Sequence, residues 1–128
     1  MQTEMHDMTQ HQTIVAWTEV PVTDMTRACD FYSKVFGWKM EINNEGPNPM
    51  AVFDGRSDAA GGHIYPGTPG QGPTVHFALR DSVEAAADRV AAAGGTVMGP
   101  IVDIPAGRFQ YATDPDGNSI GLFQPNQG

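Results

Sequence analysis

The sequence predicts an α+β protein built from two tandem β-α-β-β-β units. Three observations carry this. The apolar pattern switches from strand period to helix period and back, in the same order, twice. A run of turn formers, Gly67-Thr68-Pro69-Gly70-Gln71-Gly72-Pro73, separates the two copies. Equivalent landmarks keep one spacing: Asp24 and Asp81, Ala28 and Ala85, Gly37 and Gly94, and Val20 and Phe77 are each 57 positions apart. Repetition in a single register suggests duplication, each half leaving a sheet face that needs the other.

Taken in order, residues 1–13 are polar, include His6 and His11, and read as a flexible tail without the apolar run of a signal peptide or membrane span. The first unit covers 14–66. Ile14 to Val22 is rich in β-branched and aromatic residues and predicts a strand. Asp24 is placed to cap a helix from about Met25 to Phe36, whose apolar face is Met25, Ala28, Cys29, Tyr32, Val35 and Phe36, with Gly37 as its stop. Strands are expected at Trp38 to Ile42, Met50 to Phe53 and Gly62 to Tyr65. After the linker, 67–73, the second unit covers 74–124. It reads as strand Thr74 to Arg80, Asp81 as cap, helix Ser82 to Ala93 with Val83, Ala86, Ala87 and Val90 facing inward, and Gly94 as stop. Strands then follow near Thr96 to Ile101, Arg108 to Thr113 and Ser119 to Gln124.

Composition narrows the function. Seven basic and fifteen acidic residues give a formal charge of -8, a field that repels phosphate backbones and anionic membrane surfaces, so neither nucleic acid nor membrane is an expected partner. Cys29 is the single cysteine, which rules out an intrachain disulfide and fits a cytoplasmic protein. No Gly-rich phosphate loop, cysteine pair or Ser-His-Asp order stands out.

Strand alternation selects the candidate site residues. If Val20 and Val22 pack beneath the first helix, Trp17, Glu19 and Pro21 face the other way; if Phe77 and Leu79 do the same, Thr74, His76 and Ala78 face the other way. Glu19 and His76 are repeat equivalents, and a pseudo-twofold axis brings them together. A carboxylate within an apolar strand is costly to bury without a partner, which points to function.

Several motifs then carry a family likeness. Trp17 to Asp24, Phe31-Tyr32 and Phe36-Gly37-Trp38 resemble the opening strand and helix of the vicinal oxygen chelate (glyoxalase and bleomycin-resistance) superfamily. Ala93-Gly94-Gly95, Gly107-Arg108-Phe109 and Asp114-Pro115-Asp116-Gly117-Asn118 resemble its landmarks in the second half. The resemblance covers about 14–124 and is nearest to small bacterial proteins related to lactoylglutathione lyase. It implies eight strands in two curved mixed sheets around a cleft, a homodimer, a small organic ligand, and often a divalent metal (zinc, nickel, manganese or iron) that polarises substrate oxygens.

The ligand positions implied by that resemblance fall on Trp17, Thr74 and Gly121, none of which supplies a suitable donor, and near His63. The favoured expectation is therefore a cleft without the usual metal site, in which Trp17, Thr74, Arg108 and Gly121 contact a small molecule and Glu19 and His76 orient its polar group. The alternative is a metal-dependent lyase, isomerase or dioxygenase with a displaced Glu19, His76 and His63 site. Metal-free acid/base catalysis by Glu19 and His76 is a third reading.

Overall fold

The computed structural model describes residues 13–57, 60–70 and 72–126. The expected tail, His6 and His11 included, lies outside the described residues except for Thr13. In chain order the elements are β1 (Val15–Val22), α1 (Met25–Phe36), β2 (Ala51–Val52), a short 3-10 turn (Phe53–Gly55), β3 (Gly61–Pro66), β4 (Thr74–Ala78), α2 (Val83–Ala92), β5 (Thr96–Ile104), β6 (Gly107–Thr113) and β7 (Ser119–Pro125).

The strands form a single curved, unclosed seven-stranded sheet in the order β2-β3-β1-β4-β7-β6-β5. This replaces the expected eight strands in two sheets. Each half pairs its first strand with its last in parallel, β1 with β3 and β4 with β7, the helix forming part of the crossover. The halves meet edge to edge along the antiparallel β1–β4 seam. One face of the sheet carries the helices. Among the described residues the opposite face carries no helix, and the candidate site lies there.

Helix α1 starts where Asp24 accepts the Arg27 amide at 3.0 Å, a cap typically worth about 1 kcal/mol. It ends at Gly37, whose φ of 73° lets its amide reach back to the Ser33 carbonyl. Its inner face packs Met25, Ala28, Cys29 and Tyr32 against Val20, Val22, Ala51 and the fully buried Ile64. Val35 and Phe36, expected on that face, are more than half exposed. Phe36 instead stacks on Trp38, which also contacts Tyr32 and Phe53.

That aromatic cluster takes the segment 38–42 out of the sheet. The segment makes no ladder, and only the isolated Asn43–Met50 bridge adjoins it. Pro47 and Pro49 deny the intervening loop two backbone donors, which limits further pairing.

In the second half the helix cap is Ser82, whose hydroxyl accepts the Ala85 amide, whereas the expected cap Asp81 pairs with Arg89. Ala86, Ala87 and Val90 pack on Leu79, Ala112, Ile120 and Leu122, and Val83 is fully buried. Phe77 shares the helix-bearing face with Leu122 but stays outside the core and is 38% exposed. A register shift between Val15 and Trp17 sets Phe77 opposite Val15 at the end of the seam.

Candidate functional site

Sheet register assembles the site. Glu19 lies between His63 on β3 and Thr74 on β4, while Trp17 lies beside His76, which neighbours Gly121, which in turn neighbours Tyr111. All of these positions share the helix-free face, because Val20, Ile64, Ala112 and Leu122 occupy the alternating positions under the helices.

Glu19 is the hub. Its Oε2 accepts the His76 Nε2 hydrogen bond at 2.5 Å and the Tyr111 hydroxyl at 2.8 Å, and its Oε1 takes a longer arm of the same hydroxyl at 3.1 Å. Burial alone would raise the pKa of this carboxyl. The hydrogen bonds from His76 and Tyr111, aided by the charges of His76 and His63, outweigh burial and hold it below 4.5. The carboxylate is therefore ionised at neutral pH. Burial, the hydrogen bond to Glu19 and the Glu19 charge together push the Tyr111 phenol far up, so it remains a donor.

Gly121 makes room for this arrangement. A methyl group built there would overlap the His76 ring, Nδ1 first. The imidazole thus lies over a residue without a side chain, in ring contact with Tyr111 at 5.5 Å and Phe109 at 5.2 Å.

His63 takes part differently. Its Nδ1 accepts the Trp17 indole N–H at 2.8 Å. An indole can only donate, so the neutral ring carries its own proton on Nε2. Burial lowers the His63 pKa from 6.5, with the Glu19 charge opposing, which keeps the ring neutral.

The structure thus brings Trp17, Glu19, His63, His76 and Gly121 onto one patch. Thr74 lies at its end, buried and hydrogen-bonded to Ser119 at 2.6 Å. Arg108 is not brought to it. Its guanidinium is held by Glu84 of α2 at 2.8 Å and Asp103 at 3.4 Å, on the helix-bearing side, because alternation along β6 turns it away from Phe109 and Tyr111. Tyr111 is the residue that sequence reasoning missed. Alternation within 108–113 separates it from Arg108, but only the strand order places it across Gly121 from His76.

The donor set does not fit a resident divalent metal. Glu19 Oε2 and His76 Nε2 are engaged with each other, and the single lone pair of neutral His63 is committed to Trp17. Among the described residues no three His, Cys, Asp or Glu side chains converge so as to hold an ion. Two hollows of about 370 and 190 Å³ lie elsewhere, beside α1 near Pro21 and Phe31 and beside α2 near Val90 and Pro115. Neither is lined by the Glu19 cluster.

A family model described as the Glyoxalase/Bleomycin resistance protein/Dioxygenase superfamily matches residues 14–122. The Mycobacterium tuberculosis protein named "Putative glyoxylase CFP32" is 36% identical over 118 residues, covering 87% of this chain but 45% of that protein. The chain therefore spans less than half the length of this relative. Among solved structures, the Mn(II)-bound glyoxalase from Novosphingobium aromaticivorans superposes with a TM-score of 0.62 at 23% identity, covering 88% of this chain and 38% of that one. Methylmalonyl-CoA epimerase from Mycobacterium tuberculosis gives a TM-score of 0.58 at 18% identity, covering 89% of each chain. At these identities the likeness is one of fold.

Proposed function

The chain belongs to the Glyoxalase/Bleomycin resistance protein/Dioxygenase superfamily, and from that premise we propose that it binds a small organic molecule on the helix-free face without a resident metal. One observation carries the reading: an ionised carboxylate, Glu19, is held in place by His76 and Tyr111, so its Oε2 and the His76 Nε2 are engaged with each other. Trp17 supplies an aromatic wall whose indole N–H is already satisfied by His63, leaving its ring for stacking. In this reading Glu19 orients the polar group of the ligand and Thr74 borders it, while Gly121 acts only by seating the His76 ring.

A homodimer, as the family likeness implies, and a cytoplasmic location, in keeping with the single Cys29, complete the proposal; sedimentation at micromolar concentration tests the dimer. Among the described residues no helix is long and apolar enough to cross a membrane.

The second reading, a metal-dependent lyase, isomerase or dioxygenase, draws support from the glyoxylase name of the mycobacterial relative and from the fold shared with the Mn(II)-bound glyoxalase. Metal analysis separates the two. The untagged protein, stripped with chelator and offered Zn²⁺, Ni²⁺, Mn²⁺ or Fe²⁺, is expected to retain less than stoichiometric metal and to show no specific rise in melting temperature. One tight ion per chain, lost in the Glu19→Gln, His76→Ala double variant, overturns the metal-free reading.

A further inference from the structure

Resting on that binding reading, we propose that the helix-free face recognises an organic ammonium: a protonated amine attached to a flat apolar body. Glu19 brings a negative charge into a half-buried patch of rings. Its two hydrogen-bond donors are a phenol and an imidazole, and Oε1 receives only the longer Tyr111 contact, so acceptor capacity is left over on that oxygen.

Four basic side chains are engaged with carboxylates elsewhere. Arg108 is held by Glu84 and Asp103, Arg89 by Asp81, Lys34 by Asp30 and Lys39 by Glu41. Among the described residues the titratable cations acting on Glu19 are the imidazoles of His76 and His63, and burial disfavours the charged form of His63. An anionic ligand would meet this carboxylate, on which no guanidinium or ammonium of the described residues acts.

The surroundings suit a cation in a second way. Trp17 contacts His63, Tyr65 lies edge-on to the same imidazole, and Phe109 and Tyr111 flank His76. Rings with electron-rich faces beside a carboxylate attract ammonium ions more strongly where water is partly excluded. The ammonium donates to Glu19 Oε1, while the flat body lies against Trp17.

Three ligands of one shape test the proposal: benzylammonium, benzyl alcohol and benzoate, titrated at neutral pH into the full chain. Binding is followed by the NMR shift of the Trp17 indole N–H, with the Trp38 indole, inside the α1 aromatic cluster, as internal control. Benzylammonium is expected to bind about tenfold more tightly than benzyl alcohol, with benzoate weakest. Glu19→Gln should collapse this order to within about threefold while Trp17 still responds. Equal binding of all three at Trp17 retains the binding reading and overturns the ammonium inference, and a preference for benzoate does the same. No response at Trp17 from any of them overturns both. Should Glu19→Gln fail to fold, the order measured on the natural chain decides alone.

Discussion

A carboxylate drawn into a sheet face stays charged only when hydrogen bonds replace the water it has lost, and at Glu19 the replacement comes from two strands of the other half. This ties stability to pH in two windows. His63 has its folded pKa below 6.5, so its contribution is full above 6.5 and is lost as pH falls through the folded value. Glu19 has its folded pKa below 4.5, so its contribution is full above 4.5 and is lost as pH falls through that lower value. Tyr111→Phe deletes a donor to the charged form and leaves the burial, so the Glu19 pKa rises. The variant should lose about 1–3 kcal/mol at neutral pH, and its acid limb should begin at higher pH. Urea denaturation from neutral pH down to about pH 3 checks this, the midpoint reporting stability. An acid limb identical to that of the natural chain would show that Tyr111 does not hold the Glu19 charge.

At the scale of strands, Gly121 decides whether the cluster can form. On β7 it sits between His76 and Tyr111, and any side chain there occupies the space of the imidazole. Gly121→Ala is therefore expected to cost about 1–3 kcal/mol through overpacking and to break the His76–Glu19 bond, whereas Ser119→Ala, which removes only the hydroxyl bonded to Thr74, should cost about 1 kcal/mol. Thermal unfolding and the His76 ring resonances report both; equal losses in the two variants would argue against the steric role of Gly121. The same elements explain what was legible in advance. Alternation within β1 and β4 placed Glu19 and His76 on one face, since Val20 and Leu79 belong beneath the helices. Tyr111 and Arg108 were not legible in this way, because their surroundings depend on strand order and on a neighbour, Glu84, 24 residues away. The segment 38–42 looked like a strand by composition, yet Trp38 gains more by stacking among Tyr32, Phe36 and Phe53 than by pairing.

Across the whole molecule, the repeat spacing of 57 proved to be the separation of the two bonded residues themselves, Glu19 and His76. Each half keeps a separate core beneath its own helix, one around Ile64 and the other around Ala112 and Leu122. The halves share the β1–β4 seam, and the Glu19 bonds to His76 and Tyr111 cross it. The binding patch and the joint between the halves are thus the same structure. A ligand that engages Glu19 acts on the joint, and a change at Glu19 should be felt along the seam before it is felt in either core. Hydrogen exchange of the Glu19→Ala variant tests this: amides of β1 and β4 should lose about ten- to hundredfold more protection than those of the β6–β7 ladder, the factor expected when hydrogen bonds to a charged group are removed from one cooperative unit and not from its neighbour. A uniform loss across the sheet would mean that the halves open together, and Glu19 would then be one contributor to global stability with no special hold on the seam.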